Sequence, residues 1–103
     1  MDVPDFPHIE GFDWDRANVQ KNWRRHRVAF YECEELFLQE PLIVVPDPQH
    51  SGHEPRYFGY GRTFQGRWLT VVFTTRGNRF RVISARAMSR KERRAYAQTD
   101  PHI

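Results

Sequence analysis

The spacing of apolar positions is helical in the first part of the chain and alternating in the second. Asp15 is a suitable N-cap for a helix that ends at about His26 and carries a thin apolar stripe. A second helix is predicted over 30–37, where apolar residues recur at i, i+3 and i+7 around Cys33. Pro41 ends this helix, because the residue before a proline is driven out of the helical conformation.

Four short segments after that point are rich in β-branched and aromatic residues and are predicted to be strands. They are 42–45, 56–62, 68–75 and 79–86. Gly66 and Gly77 lie in the short turns that join the last three strands into an antiparallel meander. Ser89 precedes Glu92 by three residues, which is the spacing of a capping box, and this predicts a last helix that runs to about Gln98.

The order of these elements predicts an α+β domain of two layers: two N-terminal helices, an antiparallel meander sheet and a C-terminal helix. The length of 103 residues indicates one small domain, which we place at 12–99. Residues 1–11 contain Pro4, Pro7 and Gly11 and are predicted to form an irregular arm. The segment 12–14 is either a short strand or the approach to the first helix.

Charge divides the chain into two halves. Residues 1–55 hold 5 basic and 11 acidic side chains, whereas residues 56–103 hold 11 basic and 2 acidic ones. The basic side chains are 14 Arg and 2 Lys. Because Arg grips phosphate or carboxylate with two parallel hydrogen bonds, the basic half predicts a polyanion partner, with RNA or DNA first.

Composition excludes several other classes. With 39% hydrophobic residues, 15 of them aromatic, the chain has enough apolar area for one core and too much for a disordered protein. No apolar run is long enough to span a membrane, and the acidic N-terminus is unlike a signal peptide. The single cysteine, Cys33, excludes a disulfide framework, so we expect a reduced thiol in a cytoplasmic protein.

Several segments share the motifs of one known family. Residues 12–15 read F-D-W-D, residues 22–32 contain an N-x-x-R-H-x-V-x-F-x-E pattern, and residues 81–86 read R-V-I-S-A-R, followed by Glu92 and Tyr96. Together they resemble the BrnT family, the ribonuclease toxins of type II toxin–antitoxin pairs. The resemblance spans nearly the whole domain. One departure concerns the shape of a helix end, since an arginine follows the motif histidine where the family has glycine.

The resemblance implies a RelE-like fold and a toxin that inhibits translation and growth as a metal-independent endoribonuclease without a cofactor. It also implies a cognate antitoxin, similar to a ribbon-helix-helix protein of the BrnA type, that reaches operator DNA only as a complex with the toxin. RNA cleavage of this kind uses the ribose 2′-hydroxyl as nucleophile. The protein must accept its proton, stabilise the charge on the phosphorane and protonate the leaving 5′-oxygen.

Arginines on the strands are the candidates for the phosphate contacts. Alternation places Arg79 and Arg81 on one face of their strand, while Arg62 and Arg86 end their strands and Arg56 begins one. We predict a catalytic clamp from Arg62, Arg81 and Arg86, with RNA contacts from Arg56 and Arg79. The alternative is that these arginines solvate an open sheet face or bind acidic groups of the antitoxin or of this chain.

Candidates for proton transfer are His26 and Glu54. His26 lies in a family motif and has a suitable pKa range, but a histidine there also suits a helix C-terminus. Glu54 lies in the polar loop 47–55, where it can act as a mobile base. Trp68 and Tyr96 are predicted to contact RNA, although a tyrosine on that helix more often packs than reacts.

Three further features have simple explanations. His50 and His53 are spaced like metal ligands, but they lie in one flexible loop with no second pair of ligands, so no metal site is predicted. The aromatic residues of strands 56–62 and 68–75 are able to stack RNA bases, but alternation turns half of them into the core. The basic run 90–94 is either a solvated helix face or a docking surface for the antitoxin.

The rival functions keep the same arginine face. A non-catalytic nucleic-acid-binding module would use it without cleavage, with affinity that falls steeply with salt. An inactive toxin would retain antitoxin binding alone.

Overall fold

The computed structural model describes residues 6 and 8–99, so residues 1–5 and 7 of the predicted arm lie outside the described residues. A short strand and two helices come first, and the later strands form a meander. In chain order they are β1 (Gly11–Phe12), α1 (Arg16–His26), α2 (Phe30–Leu36), β2 (Ile43–Pro46), a 3₁₀ turn (Pro48–His50), β3 (Arg56–Arg62), β4 (Trp68–Arg76), β5 (Arg79–Ala87) and α3 (Arg90–Ala97).

The strands form one five-stranded sheet in the order β1-β5-β4-β3-β2. The predicted α+β class and the antiparallel meander are confirmed, and β3 has the predicted bounds. Of the segment 12–14, only Phe12 lies in a strand: Gly11 and Phe12 pair in parallel with Arg79 and Phe80, and Asp13 and Trp14 then lead into α1. This parallel pair brings the start of the domain against the last strand.

The core lies on one face of the sheet, which we call the inner face. Val71, Phe73 and Val82 are fully buried there, and α2 covers them with Cys33 and Leu36. A glycine in β3 allows α2 to approach closely, since a Cβ at Gly61 would lie 3.0 Å from the Leu36 Cγ. Burial raises the pKa of the Cys33 thiol to about 12, so this cysteine is a neutral core residue.

A β-bulge at Ile83 interrupts the alternation of β5. Val72 pairs with Ser84 and the adjacent Phe73 pairs with Val82, so Ile83 is an extra residue on its strand. Arg81 and Arg86 are five positions apart, and strict alternation would place them on opposite faces. Because of the bulge both point to the outer face, opposite the core.

Helix α1 lies along the edge of β5. Asp15 caps the helix by accepting a hydrogen bond of 2.7 Å from the Asn18 backbone N–H, as predicted. The side chain of Asn18 donates to the carbonyl of Val82, and the Lys21 Nζ donates to the carbonyl of Ile83 at 2.7 Å. The helix therefore occupies edge carbonyls of β5 and brings its polar side next to the outer face.

The C-terminus of α1 keeps its turn even though arginine stands where the resembling family has glycine. Arg27 takes the left-handed conformation with a φ of 53°. The guanidinium of Arg67 donates to the carbonyl of Arg27 at 2.7 Å and to that of His26 at 3.1 Å, and it pairs with Glu32 at 3.2 Å. These contacts offset the steric cost of the left-handed arginine.

Helix α3 lies on the outer face and covers only one end of it. Helices therefore lie on both faces of the sheet, and not on one face as the predicted two layers would require. Tyr96 is buried, and its ring meets Trp68 edge to face at 5.0 Å. Arg93 lies over the other part of Trp68, 4.8 Å from the ring centroid. The rest of the outer face is left open by the described elements. No helix within residues 8–99 is long and apolar enough to cross a membrane.

Candidate functional site

Outward-facing residues of the three meander strands form rows across the sheet. The pairing of β3 with β4 and of β4 with β5 fixes each row. From the open end toward α3 the rows are Arg56–Thr74–Arg81, Phe58–Val72–Ser84 and Tyr60–Thr70–Arg86. The first and third of these rows thus each carry arginine, and the row between them is mostly apolar.

A cleft of about 390 Å³ opens beside the first row. It lies between α1, the strands and Glu54, which is two residues before the start of β3. Both positively and negatively charged side chains line it. We call it the cationic cleft because the positively charged ones are in excess. Its charged residues are Lys21, Arg56, Arg76, Arg81, Asp15 and Glu54. Four lining cations face two lining carboxylates, with Asp13 beside Arg81 as a third, and the remaining positive charge suits a phosphate.

Two aspartates at the entrance to α1 hold Arg81 in place. Its Nη2 donates to the Asp15 Oδ2 at 2.5 Å, and its Nη1 lies 3.6 Å from the Asp13 Oδ2. The hydrogen bond from Arg81 lowers the pKa of Asp15, with a further contribution from the backbone N–H of Asn18. The fork of Arg81 is therefore fixed in direction at the wall of the cleft.

Glu54 forms a two-pronged pair with Arg76 at the outer rim. The Nε of Arg76 donates at 2.9 Å and its Nη2 at 3.2 Å to the two carboxylate oxygens. This pairing lowers the pKa of Glu54. The carboxylate is ionised at neutral pH, as a group that accepts a proton must be, and the lowered pKa makes it a weaker proton acceptor than an unpaired glutamate.

Lys21 was not among the residues predicted from the sequence, although it lines the same cleft. Of its three ammonium N–H groups, one is used by the carbonyl of Ile83. A signal was present, because Lys21 is one of only two lysines and lies three residues after Asn18, on the same side of the predicted helix. What the sequence lacked was the packing of that side against the edge of β5.

Arg86 lies in the row nearest α3 and is engaged by Glu92. Two hydrogen bonds of 2.6 and 2.9 Å join its guanidinium to the carboxylate, which also accepts from Thr70 at 3.0 Å and from the Ser89 backbone at 2.8 Å. The bonds from Arg86 are the main reason that the pKa of Glu92 falls to about 2. The same pair raises the pKa of Arg86. The arrangement ties α3 to the sheet.

The other predicted arginines lie apart from the cationic cleft. Arg62 ends β3, about 20 Å along the strand from Arg56, and its Nη2 donates to the carbonyl of Glu40 at 3.2 Å. Arg79 is exposed at the start of β5 and donates to the carbonyl of Phe12 at 3.4 Å. Of the predicted arginines, the structure groups Arg56 and Arg81.

The predicted RNA contacts Trp68 and Tyr96 lie together beneath α3. Tyr96 is 2% exposed, and its hydroxyl donates to the carbonyl of Pro41 at 2.6 Å. Trp68 is half-buried between that ring and Arg93. This burial favours the packing role that the sequence also allowed for Tyr96.

His26 is exposed at the C-terminal end of α1 and does not line the cationic cleft. The helix of 11 residues separates it from Asp15 by about 16 Å. In the predicted loop, the Nδ1 of His50 contacts the Asp47 Oδ2 at 2.9 Å. Within the described residues, no three His, Cys, Asp or Glu side chains are grouped so that they could hold a metal ion.

Comparisons with known proteins give a family match and a structural match. The family model described as "Ribonuclease toxin, BrnT, of type II toxin-antitoxin system" matches residues 14–92. Among solved structures, the chain is similar to the ribonuclease toxin BrnT of Brucella abortus, whose crystal structure was determined at 1.1 Å resolution. The TM-score is 0.60 at 23% identity, with 78% of this chain and 97% of that chain covered, which shows a shared fold. Among curated proteins, no sequence matches this chain.

Proposed function

Because this chain belongs to the BrnT family of ribonuclease toxins of type II toxin–antitoxin systems, we propose that it cleaves single-stranded RNA in the cationic cleft. Cleavage proceeds by attack of the ribose 2′-hydroxyl and without a metal ion. The observation that supports this most is the grouping of four cations and the ionised Glu54 in one open cleft. The cations suit the substrate phosphate, and the carboxylate suits its neighbouring hydroxyl.

In this mechanism Arg56 and Arg81 bind the scissile phosphate, and Arg81 does so through guanidinium N–H groups other than the one that Asp15 accepts. Glu54 accepts the proton of the 2′-hydroxyl, and the 2′-oxygen attacks phosphorus. The bond between phosphorus and the 5′-oxygen breaks, and the Lys21 ammonium protonates the leaving oxygen. The products are a 2′,3′-cyclic phosphate and a 5′-hydroxyl. The arginines stabilise the charge that grows on the phosphorane, and Arg76 orients Glu54.

His26 is the alternative proton-transfer residue. It belongs to a family motif, but its position at the far end of α1 gives it no direct path to a phosphate held by Arg81. We therefore place proton transfer on Glu54 and Lys21. A His26→Ala variant that cleaves RNA at the rate of the unaltered protein agrees with this choice, whereas a large loss of rate would return the role to His26.

Family membership also implies a cognate antitoxin. We propose that the partner is a ribbon-helix-helix protein of the BrnA type, and that operator DNA is bound only by the complex. RNA cleavage by the free toxin then inhibits translation and growth in the cytoplasm. An acidic segment of the antitoxin that enters the cationic cleft would block the substrate phosphate directly.

The test is cleavage of a single-stranded RNA by the purified protein in EDTA, followed by analysis of the new ends. We expect 5′-hydroxyl and cyclic phosphate ends, and no cleavage at a position that carries a 2′-deoxy sugar. Glu54→Gln should slow the reaction about 100-fold or more, because it removes the proton acceptor. Glu40→Gln, the same change at an exposed site outside the cleft, is the control.

Two outcomes would contradict the proposal. Cleavage that appears only when a divalent metal is added back overturns the metal-free mechanism. RNA binding with no cleavage under any condition identifies the chain as a binding module or an inactive toxin. A third outcome bears on one residue alone. An unchanged rate in Glu54→Gln would show that Glu54 is not the proton acceptor, and the assignment of the cleft as the phosphate site would stand.

A further inference from the structure

An aromatic pair lies on the outer face directly beside the cationic cleft. Phe58 and Tyr60 alternate in β3 with Gly59 and Gly61, which are buried on the inner face, so both rings point outward. The ring centroids are 6.2 Å apart, and the ring planes differ by 15°. Both side chains are half-buried, so part of each ring surface is in contact with solvent.

Neighbouring strands extend this pair into an apolar strip. Phe58 lies between Val45 of β2 and Val72 of β4, and Tyr60 lies between Ile43 and Thr70. Val45 is 41% exposed. The strip is therefore an open apolar surface, bounded on one side by the arginines of the cleft and on the other by α3.

Only two of the four aromatic residues on β3 and at the start of β4 remain available in this way. Tyr57 points inward and stacks on Phe73 with ring centroids 5.4 Å apart. Trp68 points outward, but Tyr96 and Arg93 cover it. The alternation of the strands and the position of α3 thus select Phe58 and Tyr60.

The pair and the cleft are in register along one strand. Arg56, Phe58 and Tyr60 share a face, and successive members are about 6.6 Å apart because each strand residue advances the chain by about 3.3 Å. A nucleotide whose phosphate lies on Arg56 and Arg81 has its base directed along this strand or away from it. In the first orientation the base meets the ring of Phe58.

We propose that Phe58 and Tyr60 form a stacking site for an unpaired nucleobase next to the phosphate in the cationic cleft. The proposal rests on the proposed function, because it takes the cleft as the phosphate site. Aromatic rings on an open sheet surface, bordered by cations, are a common way of binding single-stranded nucleic acid. A base that is paired within a duplex cannot lie flat on these rings, so the site also selects for single strands.

Charge argues for RNA as the occupant rather than an apolar protein segment. The strip is continuous with a cleft that holds four cations and two carboxylates, and a nucleotide joins an anionic group to a flat apolar one within a single unit. Burial raises the pKa of the Tyr60 hydroxyl, so it stays protonated and is able to donate to a base edge.

The experiment measures binding of a short 2′-O-methyl RNA, which cannot be cleaved through its 2′-hydroxyl, in EDTA. An abasic site is moved along the oligonucleotide to find the base that the protein stacks. We expect one position at which base removal weakens binding about tenfold, and an equal loss for Phe58→Leu with the intact oligonucleotide. At that position the two losses should not add, because each removes the same contact.

Matched variants control for the fold and for general apolar contact. Phe58→Tyr and Tyr60→Phe keep the rings and should bind within about twofold of the unaltered protein. Tyr31→Leu removes an exposed aromatic ring from α2 and should have no effect. If Phe58→Leu does not fold, the abasic scan of the unaltered protein still decides, since equal binding at every position overturns the stacking site.

The outcomes separate this proposal from the nuclease mechanism. Normal RNA binding by Phe58→Leu, together with a weakened complex with the antitoxin, would make the strip a protein contact and overturn the proposal. Additive losses would do the same. Absence of cleavage with a non-additive binding loss would leave the stacking site standing and overturn the mechanism alone.

Discussion

The two ends of the outer sheet face both present arginine, but in different surroundings. At the open end, Arg56 and Arg81 share a cleft in which cations outnumber carboxylates four to two. At the other end, Arg86 forms a bidentate pair with one carboxylate, that of Glu92. This carboxylate also accepts hydrogen bonds from the Thr70 hydroxyl and from the backbone N–H of Ser89 at the start of α3. The first end has positive charge available for a ligand, whereas the second uses its charge within the fold.

The difference shows why counting arginines on a strand is not enough to find a phosphate site. Arg81 and Arg86 belong to one motif and point to one face, yet their partners differ in exposure. Asp15, which holds Arg81, has a side chain that is 49% exposed, and Glu92 has one that is 18% exposed. A substrate competes more readily for an arginine whose partner is already solvated.

The largest expected effect is a difference in RNA cleavage rate between variants of Arg81 and Arg86. Arg81→Ala should lower the RNA cleavage rate by about 100- to 1,000-fold, because it removes a donor that stabilises the transition-state charge. Arg86→Ala should stay within a few-fold of the unaltered protein. Single-turnover cleavage of one RNA by both variants, with growth arrest on expression as a second readout, makes the comparison.

Circular dichroism and thermal unfolding of both variants establish that the fold is kept. The Arg81 side chain is 19% exposed, but the carboxylates of Asp13 and Asp15 that pair with it are 38% and 49% exposed, so the loss of these ion pairs in Arg81→Ala should change the stability little. Equal losses of cleavage in the two variants would show that both ends belong to one phosphate clamp, as the sequence predicted. A fully active Arg81→Ala would remove the cleft from the mechanism.

The next effect concerns stability and its dependence on pH. The pKa of Glu92 is lowered from 4.5 to about 2, so its ionised form stabilises the fold above pH 4.5, and this contribution is lost as the pH falls toward 2. Glu92→Gln should lower the free energy of unfolding by about 1–2 kcal/mol at pH 7, since it removes a charged bond and weakens a cap. Urea unfolding at several pH values measures both quantities.

The difference between the two proteins should shrink between pH 4.5 and about pH 2. Glu40→Gln is the control, because it changes an exposed carboxylate outside the Arg86–Glu92 pair. The neighbouring Gln39 is unsuitable, because its side chain donates to the carbonyl of Arg62. A constant difference over the whole range would mean that Glu92 acts through packing and not through its charge.

The smallest expected effect is in the salt dependence of RNA binding. Arg56→Gln should reduce the slope of log K against log salt by about 0.7, the value for one lost phosphate contact on a single strand. Arg90→Gln, on α3, should leave the slope unchanged. Titrations of an uncleavable RNA between low and moderate salt provide the slopes. Equal changes of slope in both variants would show that RNA phosphates contact both ends of the outer face.

The sequence predicted the elements well because local signals determine them. Asp15 and Ser89 cap their helices through residues three positions away, and the strand segments are rich in β-branched and aromatic residues. The left-handed turn at Arg27 was harder, since arginine does not signal it. There the turn depends on Arg67, a residue that is distant in sequence.

The site was predicted less completely because it depends on contacts between elements. Arg56, Arg81 and Glu54 were selected as candidates by residue type and position, and the structure places them in one cleft. Lys21 was missed since only the packing of α1 against β5 brings it there. The capping role of Glu92 was predictable from its spacing to Ser89, but its pairing with Arg86 required the helix to lie on the sheet.

The bulge at Ile83 has a consequence for how this protein can change over evolution. A substitution in β5 alters one side chain. An insertion or deletion there moves every residue beyond it to the opposite face of the sheet. Loss of the single residue Ile83 would turn Arg86 toward the core and Ala85 toward solvent, while Arg81 kept its place. A strand shortened by this one residue would therefore need a new contact between β5 and the last helix, because Arg86 would no longer face Glu92.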